Sequence, residues 1–580
     1  MTCECGGSHE DGSCGQTGAV SAGLLLGFLS DFREEAAPKP APPKRPERRA
    51  VMPEAALPAD EFVGAPAPGW ESPPPSPEWQ AVPPAPGWPP PGSPPAGPFW
   101  QPDPGRGAPS RKGRAMLAIV AAFAILAAGA VGIMIKRSAG GPSYPKAWDP
   151  RVAPIAQFVQ TQRGLTWKHP VKVNFLDPSK FDALMAKENS PNPKAAQDAQ
   201  WLFDAMRALG VASGNVDLVK SAQQFAQADI VGQYVDSAHA VYVRGDQLTP
   251  YVRSVLAHEL THALQGEYFD LEKMKSGHAD DSSAVTALIE GDAVRVQNAY
   301  EQSLSSTDQD LLAQEQGQSS AQAKSQTSQD NIPPFMIDQA QFPYDFGPTF
   351  VAALVTQGGN SKVDAAFRNP PTLDGQIVDP ESYTAGASAP SVGIPPLPKS
   401  TTRLAPPSGF GEVTLLEMLG HQIGFDSAWS AIQGWMQDEF VPYRQNGRVC
   451  VSVAVVDDSP TSAASLAEAG NRWAKQLPAA SVSQSGTTVN FQACDPGATW
   501  KPASTLQDPY EPLALRSALV YQLITDGHVN VTTATCTSDE VLLAIGPQGL
   551  QDAEQSSDEN SPAVQRLSAA LKSAIPSCAS

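Results

Sequence analysis

Histidine is scarce in this chain, with eight in 580 residues, and positive charge is short, with 40 Lys and Arg against 60 Asp and Glu. The charge deficit lies in the second part. Residues 1–137 carry 12 basic and 13 acidic side chains, and residues 138–580 carry 28 and 47. So acidic a segment argues against nucleic acid or anionic lipid as its partner. The opening stretch lacks the apolar residues that make a core: 25 of the 57 prolines lie before residue 110, among Ala, Gly and Ser. It is expected to be disordered or polyproline II. Its P-G-W at Trp70 and Trp88, P-E-W at Trp79 and F-W at Trp100 read as a solvated spacer or as a docking motif for an aromatic-lined groove on a cytoplasmic partner. Residues 19–29 are apolar but lack a basic flank, so they make a poor signal peptide. Cys3, Cys5, Cys14 and His9 are capable of binding zinc, but their spacing fits no closed four-ligand pattern.

One long apolar run is present. Residues 115–135 contain no charge, follow Arg111, Lys112 and Arg114, and precede Lys136 and Arg137. Twenty-one apolar residues match about 30 Å of bilayer core, so a single transmembrane helix is expected. The slight basic excess puts the N-terminal side in the cytoplasm. Cys450, Cys494, Cys536 and Cys578 form an even set that allows three disulfide pairings, and disulfides belong outside the cytosol. The organisation expected is a disordered cytoplasmic Pro/Trp tail (1–114), a membrane helix (115–135), a linker (138–150), a folded domain (151–445) and a disulfide-containing α/β region (446–580), the folded parts facing outward at the cell membrane.

Two of the eight histidines stand four apart, in V-L-A-H-E-L-T-H-A, Val255 to Ala263. With so few histidines, H-E-x-x-H arises by chance in roughly one such chain in 200. On a helix His258 and His262 share a face, with Cβ atoms roughly 5–6 Å apart, and two imidazoles so placed can hold one tetrahedral ion. Glu259 reaches the same ion from the side, where it can take a proton from water. Thr249-Pro250 is a good helix start and Gly266 a good stop. Val252, Val255, Leu256, Leu260, Ala263 and Leu264 form an apolar arc that contains Glu259, and a core helix has no structural reason to bury an unpaired carboxylate.

Upstream, Val171–Phe175 reads as a strand, and 230–234 with 240–243 as a hairpin beside the helix, offering an edge for an extended peptide. Downstream, a polar loop over 266–283 precedes a buried helix from near Ala284. Glu290 within it is the leading third ligand. Asp292 competes, about 200° away around the helix, as does the pair Asp280-Asp281, which also suits helix capping. Two histidines and one glutamate leave the fourth zinc position open, as a hydrolytic site requires. An oxyanion donor is also needed, and Tyr344, Tyr383, Tyr300, His239 and His421 are candidates that spacing cannot separate. Residues 301–332 read as a long polar helix or a disordered lid. Residues 415–436 read as helical, 449–456 and 489–494 as strands around a helix at 465–476, and 513–575 as helix, strand, helix.

Several stretches together resemble HExxH zinc metallopeptidase-like proteins of the gluzincin (thermolysin-type) superfamily: Y-V-R-G-D (Tyr242–Asp246), L-A-H-E-L-T-H-A-L-Q (Leu256–Gln265) and A-L-I-E-G-D-A (Ala287–Ala293). Looser matches are Phe342–Gly347, Pro370–Tyr383 and Gly434–Asp438, so the resemblance covers roughly residues 150–450. It implies an α+β fold, a zincin-like metallopeptidase domain with a mainly helical C-terminal part. It also implies His258, His262 and Glu290 as Zn2+ ligands and Glu259 as catalytic base. The sequence departs from the pattern at Gly375 and Asp379, where such proteins tend to carry Glu and His, and in a His262-to-Glu290 gap longer than that of thermolysin. The function expected is a membrane-anchored, outward-facing zinc endopeptidase acting on peptide or protein substrates. The alternative is a catalytically inactive binding or scaffold protein of the cell envelope on the same fold.

Overall fold

The computed structural model describes residues 144–579, apart from short stretches at 189–192, 228–229, 278–281, 330–331, 387–389, 396, 503–507, 557 and 559. The tail 1–114, the apolar run 115–135, the N-terminal Cys/His group and Asp280-Asp281 lie outside the described residues. Among the described residues no helix is long and apolar enough to cross a membrane.

The fold is mixed α+β, with helix predominating. Helix α1 (Ala153–Arg163) leads to strand β1 (Lys172–Leu176) and helices α2 (Pro178–Glu188), α3 (Pro193–Leu209) and α4 (Leu218–Gln227). The expected hairpin follows as β2 (Gly232–Val235) and β3 (Ala240–Arg244), joined by a 3-10 turn. Central β3 runs parallel to β1 and antiparallel to β2, which leaves β2 at an edge of the three-stranded sheet.

Helix α5 (Pro250–Tyr268) carries the H-E-x-x-H and packs against this sheet. The Thr249 side chain caps it, accepting from the Val252 N–H at 3.3 Å, with Pro250 in the first turn. Fifteen of its nineteen residues are buried, so every polar group on it must find a partner inside the protein. All six residues of the apolar arc are among the fifteen. Gly266 does not end the helix. The helix runs two residues further, and Phe269 terminates it in an extended conformation. The bare Cα of Gly266 instead faces the Tyr234 hydroxyl and Asp236, each 3.6 Å from where a Cβ would sit.

Six helices and two short turns then build the layer facing α5: α6 (Leu271–Gly277), α7 (Ser282–Ser303), α8 (Ser306–Gln329), α9 (Pro334–Asp345), α10 (Gly347–Gly358), α11 (Asn360–Arg368), α12 (Gly375–Val378) and α13 (Pro380–Thr384). The expected polar loop over 266–283 is thus helical on both sides of the stretch 278–281. Helices α7 and α10 touch backbone to backbone. A Cβ on Gly291 would come within 2.3 Å of the Gly347 carbonyl, and one on Gly347 within 2.2 Å of the Ala287 oxygen.

The remaining chain is β4 (Thr402–Arg403), α14 (Glu412–Ile423), α15 (Phe425–Ile432), β5 (Trp435–Gln445), β6 (Arg448–Asp457), α16 (Pro460–Ala474), β7 (Ala480–Ser485), β8 (Thr488–Cys494) and three helices, α17 (Tyr510–Thr525), α18 (Val531–Gln555) and α19 (Pro562–Ala579). The strands form an antiparallel sheet in the order β4-β5-β6-β8-β7. This corrects the reading of 415–436 as one helix. Gly424, at φ 85°, interrupts it, and the chain is already a strand at Trp435. The division drawn at 445/446 falls in the β5–β6 turn, where Asn446 and Gly447 both have positive φ, as a tight hairpin demands. The strand expected between the last helices is instead the start of α18: the Asn530 side chain accepts from the Thr533 N–H at 2.9 Å and caps it.

Two disulfides fix this part. Cys450–Cys494 joins directly opposed residues of β6 and β8, and Cys536–Cys578 joins α18 to α19. The five-stranded sheet is tied to the first half through α3. Buried Trp473 donates its indole N–H to the Leu209 carbonyl at 2.9 Å. Arg207 grips both oxygens of Asp495, each at 2.6 Å.

Candidate metal centre

His258 and His262 project from α5 toward α7, where Glu290 meets them. The His258 and His262 Nε2 atoms are 3.0 Å apart, and Glu290 Oε2 lies 3.2 Å from the first and 3.1 Å from the second. Each of the three residues offers one ligand atom, and these atoms lie within 4.8 Å of one another. All three side chains are largely buried.

The opposite nitrogens of the two rings decide what these atoms are. His258 Nδ1 lies 3.0 Å from Gln297 Oε1, and His262 Nδ1 lies 3.1 Å from Gln265 Oε1. Each glutamine's orientation is fixed by its amide nitrogen. Gln297 donates to Ser254 Oγ at 3.0 Å and to Glu301 at 3.3 Å, and Gln265 donates to the Ile289 carbonyl at 3.1 Å and to Asp292 at 3.0 Å. A carbonyl and a carboxylate can only accept, so both amide oxygens must face the imidazoles. Each neutral imidazole therefore carries its proton on Nδ1, and both Nε2 atoms present lone pairs. Two lone pairs and a carboxylate oxygen converge with no hydrogen between them, an arrangement that could hold a cation.

Electrostatics agree. Burial alone would lower the His262 pKa, but the Glu290 carboxylate outweighs it and lifts the ring to about 9. Burial likewise pushes Glu290 up, yet the two imidazoles hold it well below the ordinary value.

Glu259, beside the cluster, meets β2, where its Oε2 accepts the Tyr234 N–H at 2.6 Å. Burial raises its pKa, partly offset by the two imidazoles. Gly232 on the same strand permits this approach, since a Cβ there would lie 3.1 Å from Val255.

Asp292, the competing ligand, faces elsewhere. It is fully buried against Arg163 at 2.5 Å and Arg295 at 2.8 Å, and these cations hold its pKa down against the effect of burial. Of the five candidate oxyanion donors, Tyr344 adjoins the cluster. Its ring centroid is 6.5 Å from that of His258. Its hydroxyl is buried beside Glu290 and makes no hydrogen bond of good geometry among the described residues. Burial first, then the charges of Glu290 and Glu259, raise its pKa far above the ordinary value, so it stays a donor. The other four make their contacts elsewhere. Tyr383 donates to the Asn369 carbonyl, Tyr300 packs edge-on to Phe158, His239 sits in the β2–β3 turn near Tyr144, and His421 adjoins Asp508.

Two of the looser motifs, at 370–383 and 434–438, are structural staples. Asp374 accepts N–H groups of Gly375, Glu412 and Val413, so it caps α14 across the fold. Asp438 accepts those of Phe410 and Gly411 and the indole N–H of Trp435. Gly375 has no room for a side chain, since its Cβ would meet Trp435 at 2.5 Å. Asp379 caps α13 through the Glu381 N–H. Gln265 and Gln297 went unnoticed in the sequence. For Gln265 the signal was its place three residues after His262, one turn along the same face.

No family model, no curated protein and no solved structure matches this chain.

Proposed function

We propose that this chain is a zinc-dependent peptidase with a zincin-like domain, His258, His262 and Glu290 holding the ion. The observation that supports this best is the convergence of two Nε2 lone pairs and the Glu290 carboxylate on one point. Two imidazoles and one carboxylate fit zinc by donor type, and three protein ligands rather than four suit a hydrolytic site. When bound, zinc supplies a Lewis acid that makes water nucleophilic near neutral pH and polarises a carbonyl.

The protein's own groups supply the remainder. Glu259, with its pKa raised by burial, takes the proton from the attacking water and passes it to the leaving amine. The Tyr234 N–H at 2.6 Å fixes the carboxylate's orientation during both transfers. Tyr344 donates its hydroxyl to the developing oxyanion. The edge strand β2 lends main-chain groups to an extended peptide.

The paired cysteines support an outward-facing location, and residues 115–135 supply a single-pass anchor in the lipid bilayer with the Pro/Trp tail in the cytoplasm. The test is elemental analysis of the purified full chain together with a peptide-library cleavage assay. The expected result is one zinc per chain and cleavage by the wild type, with Glu259→Gln retaining the zinc and cleaving nothing. Stoichiometric zinc without cleavage by the wild type would favour the inactive scaffold instead.

A further inference from the structure

The two imidazoles are held in the same way from opposite sides, and the holding groups are neutral. Histidine ligands usually donate their second N–H to a carboxylate, a backbone carbonyl or water. Here each donates to a glutamine amide oxygen, and each glutamine is pinned by its own amide nitrogen to a buried carboxylate. On one side the series is His262, Gln265, Asp292. On the other it is His258, Gln297, Glu301.

The carboxylates are anchored in turn. Asp292 is neutralised by Arg163 and Arg295, and Arg163 also lies 2.7 Å from Asp364 of α11. Glu301 is 3% exposed and accepts on Oε1 from Ser254 of α5 at 2.6 Å, from Gln297 and from Gln316 of α8 at 3.0 Å. The second series therefore reaches α8. That helix is also seated on α5 by its Glu315 accepting the Tyr251 N–H at 3.1 Å, by Ser319 against the Tyr251 hydroxyl at 3.1 Å, and by Asp308 with Arg253 at 2.9 Å.

From this geometry we infer that Gln265 and Gln297 are positioning residues of the metal centre: neutral spacers that lock both histidines as Nδ1–H tautomers and aim both Nε2 lone pairs at one point. The inference rests on the metal reading of the His-His-Glu cluster. A carboxylate in direct contact with an imidazole shares its proton and makes the ring a stronger donor to the metal. An amide oxygen fixes the ring's orientation without adding charge. The carboxylate is moved one residue out, where it polarises the amide. An ion held there would keep more of its positive charge. Orienting partners of this kind typically change metal affinity about 10–100-fold when removed.

The test uses the full chain loaded with Co2+ as a spectroscopic probe. Wild type, Gln265→Met and Gln297→Met are compared by chelator competition and by the visible absorption of the Co2+-saturated protein. Methionine matches the length of glutamine and removes the acceptor oxygen. Both variants are expected to bind Co2+ about 10–100-fold more weakly, and to show shifted d–d bands even at saturation, because the rings are no longer held. Their metal-free circular dichroism is expected to match wild type, which a merely structural role would not produce together with the spectral change. The arms come from different helices, so if one variant misfolds the other decides. Wild-type affinity with unchanged bands in the folded variant would overturn the inference. Failure of the wild type to bind Co2+ at all would overturn the metal reading itself, and the two failures are distinct.

Discussion

Glu290 and Asp292 stand two positions apart on α7 and face opposite sides: Glu290 meets the imidazoles, and Asp292 meets Arg163 and Arg295. Helix geometry required that only one of the two face the site, and the H-E-x-x-H spacing fixed the imidazole pair, so these residues could be read from the sequence. The glutamine spacers could not all be read so easily. Gln297 meets His258 across 39 positions, through the packing of α7 on α5, and no local pattern encodes that. Tyr344 was one of five candidates because its neighbourhood is equally non-local. If the proposed peptidase reading holds, Tyr344→Phe should leave metal content unchanged but lose about a hundred- to a thousandfold in turnover, the usual effect of removing one oxyanion donor. Equal turnover by the variant in a steady-state peptide assay would remove Tyr344 from the chemistry.

At the scale of elements, α5 and its sheet were legible because apolar periodicity, a Thr-Pro start and a β-branched hairpin agree in one direction. Where the readings failed, a polar residue was acting as a cap or turn inside an ambiguous run. Asn530 starts a helix in V-N-V-T-T, and Asn446-Gly447 turns a hairpin whose first strand contains Pro442 and several charges. Helix α8 reads as a polar spacer by composition, yet its Gln316, Glu315 and Ser319 are partners of α5 and α7. The turn of α7 that carries Glu290 lies directly on the start of α10 because Gly291 and Gly347 have no side chains. Gly291→Ala must separate the helices and should cost about 1–3 kcal/mol in a denaturant melt, the range for overpacking. It should also weaken metal binding, because Glu290 moves with the turn. A melt unchanged from wild type would show that the crossing yields easily.

For the whole molecule, the acidic excess noted in the composition is partly internal. Asp438 and Asp457 are buried and Asp345 is half-buried, and desolvation pushes each from an ordinary 3.8 up to about 7. The folded chain thus holds protons that the unfolded chain releases, so these groups contribute stability that is full below the unfolded value and lost as the pH rises through about 7. The metal-free protein should therefore melt higher at about pH 5 than at about pH 8. Asp457, whose two oxygens have no hydrogen-bond partner, offers a direct check: Asp457→Asn should narrow that difference, read by calorimetry at both pH values. A difference as wide as the wild type's would assign the effect to other groups. None of this was visible in the sequence, because net charge counts ionisable residues without saying which are buried.

The two disulfides decide what a proteolytic nick does to this protein. Cys450–Cys494 and Cys536–Cys578 close loops with sequence separations of 44 and 42, and the first loop contains α16 and β7 whole. A cut inside either loop leaves both fragments covalently joined, so the clipped chain runs as one band until it is reduced. A cut before Cys450 or between the loops, in residues 495–535, separates the chain into two pieces, and one falling between α17 and α18 releases the last two helices with their own disulfide intact.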